Sequence, residues 1–203
     1  MLFNKMGKFI VFEGGHGSGK TTLTSKLSEY LINQGKKVTL TKEPFNQEIK
    51  ETIETLSVNE EKLDKNLAIL YLLTADRFLH TRYIQERLRN NNFIISDRYV
   101  LSSFVYQQMQ NIPIQMIREA NSFCTIPDLT FFVDTPHKER EKRSENRNKP
   151  DSFFRKRYKK EDALYIKICK RFSKEYNIVH IDGSKILTDV TSDIIRITSK
   201  KFL

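Results

Sequence analysis

One glycine-rich stretch combines the residue types that bind phosphate. It runs Phe9-Ile-Val-Phe-Glu-Gly-Gly-His-Gly-Ser-Gly-Lys-Thr-Thr22 and matches G-x-x-x-x-G-K-[ST] at Gly14, Gly19, Lys20 and Thr21. Glycines allow backbone angles that turn successive N–H groups inward, and a helix that begins near Gly19 adds the positive end of its dipole. Lys20 would reach the β- and γ-phosphates, and the Thr21 hydroxyl would hold Mg²⁺. The stretch therefore predicts a site for a nucleoside triphosphate.

The residues around this loop, the P-loop (14–22), fit the strand-loop-helix context that the motif requires. The preceding residues are aromatic or β-branched, as in a buried strand, and Leu23, Leu27 and Leu31 recur on one face of the following helix. Every position of the loop is a candidate for nucleotide binding, namely Gly14, Gly15, His16, Gly17, Ser18, Gly19, Lys20, Thr21 and Thr22.

The rest of the chain alternates short apolar segments with helical ones. Strands are predicted at 37–41, 93–97, 129–133 and 177–181, and a long amphipathic helix is predicted over 60–89. This alternation predicts an α/β fold of the P-loop NTPase type, in which helices cover both faces of a parallel sheet. The chain of 203 residues fits a single domain, 1–203. Asp97 would end a strand at the sheet edge where such folds bind ligands.

Composition and charge limit the classes of partner that the protein could bind, but they do not select one of them. The formal charge of +10 comes from 35 Lys plus Arg against 25 Asp plus Glu, which suits nucleic acid, an anionic surface or a polyanionic small substrate. The first eight residues lack the apolar core of a signal peptide, and no apolar run approaches the 18 residues of a membrane span. We therefore expect a cytoplasmic protein without a membrane partner.

A basic, polar segment over 143–158 predicts a lid that closes on anions, with Pro150 interrupting any helix there. Arg143 and Arg147 lie four positions apart and would share one face of a helix. The same pattern is also typical of a solvated charged surface.

Several motifs together resemble the thymidylate kinase family. They are the P-loop, Thr41-Lys-Glu-Pro44, Ala75-Asp-Arg77, Asp97-Arg-Tyr-Val-Leu-Ser-Ser-Phe-Val-Tyr-Gln107 and Pro127-Asp-Leu-Thr130. The resemblance extends in order from about Lys8 to about Asp182, and the segment that starts at Asp97 is its most specific part.

The resemblance implies a kinase with five parallel strands and a lid, usually dimeric through long helices, that converts ATP and dTMP to ADP and dTDP with Mg²⁺. Lys20, Asp97 and Arg98 would be catalytic, and Thr21 and Asp97 would hold Mg²⁺ directly or through water. Substrate binding would involve the residues that match the family's acceptor site, namely Glu43, Leu73, Arg77, Arg98, Ser103, Gln107 and Tyr158. Among them, the resemblance implies that Arg98 binds the acceptor phosphate and that Arg77 hydrogen-bonds the pyrimidine base. The charge of +10 then suits two polyanions in one cleft, and we expect no nucleic-acid partner.

The lid arginines carry a further expectation. Because the variable P-loop residue is Ser18 rather than a basic one, the chain resembles the subgroup whose lid supplies the catalytic arginine. This implies that Arg147 stabilises the transferring phosphoryl group, with Arg143 as the second candidate.

Three departures from the family pattern leave the identity of the acceptor substrate undecided. His16 stands where a carboxylate would bind the sugar hydroxyl, Leu73 replaces a phenylalanine that stacks on thymine, and 44–47 lacks the expected glycine pair or arginine. Another pyrimidine monophosphate or a deoxynucleoside is therefore an alternative acceptor. A nucleotide-dependent regulatory protein is the alternative of another class, although intact Lys20 and Asp97 count against it.

Overall fold

A parallel five-stranded sheet, covered by helices on both faces, forms the core of the computed structural model, which describes residues 7–58, 65–90, 92–145 and 158–203. The strands are β1 (Lys8–Glu13), β2 (Val38–Lys42), β3 (Phe93–Asp97), β4 (Leu129–Asp134) and β5 (Ile178–Asp182), in the order β2-β3-β1-β4-β5. The described helices are α1 (Lys20–Asn33), α2 (Gln47–Val58), α3 (Lys65–Arg89), α4 (Val100–Met109), α5 (Ile114–Ala120), α6 (His137–Glu145), α7 (Tyr158–Arg171) and α8 (Leu187–Phe202). The predicted fold class is confirmed.

Alternating side chains of the central strand β1 build the two halves of the core. Phe9 and Val11 pack on the face covered by α3, α4 and α7, whereas Ile10 and Phe12 pack on the face covered by α1 and α8. All four are at most 1% exposed, so each contributes about 1.5–3 kcal/mol of burial free energy. A continuous apolar strand with two buried faces is what a central parallel strand requires.

The register of the sheet brings chemistry-bearing residues to one edge. Phe12 of β1 pairs with Asp97 of β3 and with Phe131 of β4, so β1 and β3 end within one residue of each other and β4 continues to Asp134. Glu13 and Asp97 are the last residues of their strands, and the P-loop begins directly after Glu13. The predicted position of Asp97 at a strand's carboxyl end is confirmed.

Two predicted segments extend beyond the described residues. The long helix predicted over 60–89 is described from Lys65, and the earlier part of it falls in 59–64, outside the described residues. The predicted lid has helical ends, since α6 continues to Glu145 and α7 begins at Tyr158, while 146–157 lie outside the described residues. None of the described helices combines the length and apolar character needed to cross a bilayer.

Candidate active site

The P-loop has the backbone that its glycines predict. Gly17 and Gly19 have φ angles of 78° and 96°, in the left-handed region that side chains disfavour. Gly14 has a φ of 147°, and a Cβ there would lie 2.5 Å from the carbonyl oxygen of Val133, so β4 packs directly against the loop. Helix α1 begins at Lys20, immediately after Gly19, and places its positive dipole end at the loop.

Lys20 extends into the loop and is 5% exposed. Its Nζ donates to the carbonyl oxygens of Gly14 and Gly15 at 3.0 and 2.8 Å, and to Ser18 Oγ at 3.3 Å. Burial lowers the pKa of the Lys20 ammonium to about 7, and the like charge of Arg98 adds to the shift, although the carboxylate of Asp97 opposes it. A phosphate bound beside this ammonium would favour the charged form again.

Two side-chain oxygens that could bind a metal ion lie next to each other at the start of α1. Thr21 Oγ1 donates to Asp97 Oδ2 at 2.5 Å, so the hydroxyl and the carboxylate predicted to hold Mg²⁺ are adjacent. Hydroxyl and carboxylate oxygens are ligands that Mg²⁺ accepts, usually together with waters and substrate phosphates. The chemistry of this donor pair fits the predicted metal.

Arg98 lies directly beside the P-loop and is held from one end. Its Nη1 donates to the carbonyl oxygen of Gly14 at 3.2 Å, to Ser102 Oγ at 3.0 Å and to Tyr165 Oη at 3.1 Å. Its φ of 74° is unusual for a residue with a side chain, so the surrounding contacts must hold this backbone. Within the described residues, every hydrogen bond from this guanidinium leaves from Nη1, which leaves Nε and Nη2 for an anion.

Glu13 supports this arginine from inside the core. Its carboxylate is fully buried and accepts from the backbone N–H groups of Tyr99 and Ser102 at 2.8 and 3.1 Å and from Ser102 Oγ at 2.7 Å. Burial raises the pKa of the Glu13 carboxyl, and the charge of Arg98 opposes that rise. The carboxylate therefore fixes the turn between β3 and α4, on which Arg98 sits.

Arg77 forms a second buried cluster, on α3. Its Nε and Nη2 donate to Glu43 Oε2 at 2.9 and 2.6 Å, and its Nη1 donates to Asn121 Oδ1 at 2.6 Å. His80 Nδ1 lies 3.1 Å from Glu43 Oε1. Burial alone would raise the pKa of Glu43, but Arg77 and His80 outweigh it and hold that pKa below its ordinary value. Glu43 therefore orients the arginine that was expected to contact the pyrimidine base.

The other residues expected to bind the acceptor lie around the same helices. Ser103 and Gln107 of α4 are both 2% exposed, and Gln107 Oε1 is buried without a hydrogen-bond partner among the described residues. Leu73 is half-buried, one helical turn before Arg77. Tyr158 is the first residue of α7, but its side chain falls outside the described residues. The substrate roles of these residues stay predictions.

The lid arginines are only partly described, because Arg147 falls outside the described residues. Arg143 Nη2 donates to the carbonyl oxygen of Gly183 at 2.9 Å. Its side chain lines a cavity of about 430 Å³ beside α1, together with Gly19, Thr22, Lys185 and Leu187. This cavity borders the P-loop on the side of β5 and could take the base of a nucleotide whose phosphates lie in the loop.

Sequence reasoning missed several polar residues that the fold brings to the site. Arg140, Glu161, Tyr106 and Tyr165 are half-buried or buried, and each contacts another site residue or the P-loop. A signal was available for Arg140 alone, because helix α6, His-Lys-Glu-Arg-Glu-Lys-Arg-Ser-Glu, has no apolar residue. A helix of this composition must turn a charged side chain toward the protein wherever it packs.

Comparison with known proteins agrees with this geometry. The thymidylate kinase family model matches residues 12–194. The protein named "Probable thymidylate kinase 1" from Saccharolobus solfataricus is 34% identical over 197 residues, which cover 96% of this chain and 98% of the relative. "Probable thymidylate kinase" from Methanococcus aeolicus is 35% identical, covering 94% and 95% of the two chains. "Thymidylate kinase" from Thermoanaerobacter sp. is 32% identical, covering 96% and 98%.

Proposed function

The chain belongs to the thymidylate kinase family, and we propose that it transfers the γ-phosphoryl group of ATP to dTMP. An oxygen of the dTMP phosphate forms the new bond to the γ-phosphorus, and the bond to the bridging oxygen breaks as ADP leaves with the electron pair. The observation that carries this proposal is the 3.2 Å hydrogen bond from Arg98 to the carbonyl oxygen of Gly14. It supports the proposal because Arg98, the residue expected to bind the acceptor phosphate, lies directly beside the P-loop, where the two nucleotides would meet.

Arg98 is the residue proposed to bind the acceptor phosphate. Gly14, Ser102 and Tyr165 hold its Nη1, so Nε and Nη2 form the fork that matches two oxygens of a phosphate. An arginine fixed in this way needs little reorganisation during the reaction. Positioning of the phosphates and stabilisation of their charge supply most of the rate acceleration in phosphoryl transfer.

The donor side uses the P-loop and Lys20. The inward N–H groups of the loop and the start of α1 would bind the β- and γ-phosphates, and the buried ammonium of Lys20 would balance charge on the transferring group. The cavity of about 430 Å³ lined by Arg143 and Leu187 would take the adenine. Catalytic roles for Arg143 and Arg147 stay predictions.

The predicted metal fits the donor pair at Thr21 and Asp97. These two residues would hold Mg²⁺, directly or through water, and the ion would neutralise charge on the ATP phosphates. The chain itself contributes the orientation of both oxygens, because Asp97 ends β3 and Thr21 lies in the first turn of α1.

A pyrimidine acceptor is supported by the polar groups buried near α4. Gln107 Oε1 is an acceptor that a ring N–H could satisfy. Arg77 Nη1 and Nη2 donate to Asn121 and Glu43, and the second N–H of either nitrogen would be the donor for a ring carbonyl. His16 lies exposed at the tip of the P-loop, where an acidic residue was expected to bind the sugar. Its imidazole can accept one hydrogen bond when neutral but can only donate when charged.

The proposed acceptor can be tested with a substrate panel. Purified protein with ATP and Mg²⁺ is offered dTMP, dUMP, dCMP and thymidine, and the products are separated by chromatography. We expect dTDP from dTMP at the highest kcat/KM. Phosphorylation of thymidine without phosphorylation of dTMP would refute the proposal, and preference for another monophosphate would assign the same chemistry to a different pyrimidine.

The homodimer expected from the family has support on α3. Tyr71, Phe78 and Leu79 of this long helix are 47–55% exposed, and the Phe78 ring lies 5.3 Å from that of Phe123. Large apolar side chains grouped on one surface are typical of a protein interface. Sedimentation should give a dimer that Phe78→Glu dissociates, and a monomeric wild-type protein would refute the dimer.

The expectation that the protein acts in the cytoplasm stays a prediction.

A further inference from the structure

Arg140 is a charged residue that is buried next to the P-loop. It lies on α6 and is 1% exposed. Its Nη1 donates to Glu161 Oε2 at 2.7 Å and to the carbonyl oxygen of His16 at 3.1 Å, and its Nη2 bonds Asp162. Burying such a pair costs desolvation free energy that its attraction often only balances. Stability alone therefore does not account for its position.

The Arg140–Glu161 pair holds two consecutive peptide groups of the P-loop. The N–H of His16 donates to Glu161 Oε1 at 3.3 Å, while the carbonyl of the same peptide, on Gly15, accepts from Lys20 at 2.8 Å. The next peptide has its carbonyl, on His16, bonded to Arg140. Since a trans peptide points its N–H opposite to its carbonyl, Arg140 also sets the direction of the Gly17 N–H.

The pair packs so closely against Gly15 that no side chain would fit there. A Cβ on Gly15 would lie 2.1 Å from Arg140 Nη1 and 3.0 Å from Glu161 Oε2, and one on Gly17 would lie 3.7 Å from the Arg140 Cβ. A rotation of either peptide would break its hydrogen bond to Glu161 or to Arg140. The loop conformation and the position of Arg140 are fixed together.

Glu161 also connects the pair to the acceptor side. Its Oε1 accepts from Tyr106 Oη at 2.5 Å, and the Tyr106 ring lies 5.4 Å from the guanidinium carbon of Arg98. Burial alone would raise the pKa of Glu161, but the hydrogen bonds from Tyr106 and Arg140 outweigh it and hold that pKa below its ordinary value. Glu161 is therefore a carboxylate at neutral pH, able to keep both partners.

We propose that Arg140 and Glu161 are a positioning pair that holds the His16 and Gly17 peptides in the orientation that binds the ATP phosphates. This inference rests on the proposed function only in naming ATP as the ligand of the P-loop. Neither residue is a catalytic residue, because each acts through the backbone of the loop. The pair supplies what the flexible glycines of the loop lack, a fixed direction for the phosphate-binding N–H groups.

The test separates positioning from stability. Arg140→Met keeps most of the side-chain volume but leaves the Glu161 carboxylate buried without its arginine, so the double variant Arg140→Met/Glu161→Gln removes that charge as well. We expect the double variant to regain most of the wild-type melting temperature. Its kcat/KM for ATP should nevertheless stay about 10- to 100-fold lower, because a misplaced binding group costs about that much, while the KM for dTMP changes less than about twofold.

Three further measurements make the result decisive. Arg140→Lys keeps the charge without the planar fork and should recover only part of the ATP parameters. Arg118→Met removes an exposed arginine that pairs with Glu175 and should behave as wild type. Binding of a non-hydrolysable ATP analogue with Mg²⁺, measured by calorimetry, should weaken in the double variant to the same extent as the KM for ATP rises.

Two outcomes would overturn the proposal. In the first, the double variant has wild-type ATP kinetics and analogue affinity. In the second, the KM values for ATP and dTMP rise equally and only in variants with a lowered melting temperature, which is the signature of a structural role alone. If the wild-type protein binds the analogue but does not phosphorylate dTMP, the proposed function fails, and analogue affinity still decides the role of the pair.

Discussion

Replacing Arg77 by Met tests the buried cluster that is expected to recognise the acceptor base. The substitution removes three guanidinium contacts to Glu43, at 2.6–3.1 Å, and the contact to Asn121 at 2.6 Å. The Glu43 side chain is 4% exposed and would keep His80 as its remaining polar partner among the described residues. The variant thus leaves a carboxylate buried without its main counter-ion.

The expected loss of stability follows from that burial. Removing one partner of a buried ion pair costs about 3–5 kcal/mol. With an unfolding entropy of about 2.1 cal/mol/K per residue, this corresponds to a melting temperature lowered by about 7–12 °C for a chain of this length. Urea unfolding and thermal unfolding of Arg77→Met would both measure it. The KM for dTMP should rise at the same time, because the base loses its donor.

A double variant and a control separate the two effects. Arg77→Met/Glu43→Gln neutralises the buried carboxylate and should recover at least half of the lost stability without restoring the KM for dTMP. Arg118→Met removes an exposed partner of Glu175 and should cost less than about 1 kcal/mol. If Arg77→Met and Arg118→Met unfold at the same midpoint, the reasoning about the buried cluster is refuted.

Three other predictions concern the donor site. Burial lowers the pKa of Lys20 to about 7, and bound phosphates should restore its charge, so ATP binding at pH 8.5 should cause proton uptake. Calorimetry in buffers of different ionisation enthalpy detects this uptake. Lys20→Met should abolish it, and proton uptake that persists in this variant would contradict the assignment. Thr21→Val should raise the Mg²⁺ concentration for half-maximal rate by about tenfold or more, and an unchanged Mg²⁺ dependence would exclude Thr21 as a ligand. Gly183→Ala places a Cβ 2.0 Å from Thr135 Oγ1, which bonds Ser18 of the P-loop, and should cost about 1–3 kcal/mol and raise the KM for ATP. Gly35→Ala, strained only by its φ of 72°, is the control that should leave this KM unchanged.

The fold could be predicted from local patterns. The two-sided apolar pattern of β1 identifies a central parallel strand, and the spacing of Gly14, Gly19 and Lys20 identifies the loop and the helix that follows. These signals are contained within about 25 consecutive residues, so each can be found without knowing the tertiary contacts. The edge position of Asp97 followed from the same argument, because parallel strands end on one side of the sheet.

The supporting network could not be predicted, because it depends on long-range contacts. Glu13 and Tyr165 are 152 positions apart, and both contact Ser102 only after α4 and α7 pack together. Arg140 belongs to a helix whose sequence resembles a solvated surface, and the sequence does not reveal which of its charges turns inward. The burial of Arg77 cannot be predicted from the sequence either, since most arginines are exposed and this one is only 2% exposed.

The transfer of a labelled phosphoryl group tests the central claim most directly. Wild-type protein is incubated with ATP labelled with ³²P at the γ-phosphate, dTMP and Mg²⁺, and the products are resolved by thin-layer chromatography. The proposed reaction predicts that the label appears in dTDP, at a rate that depends on the concentrations of both nucleotides. Label that stays in ATP, or that appears only as inorganic phosphate whether or not dTMP is present, would contradict it.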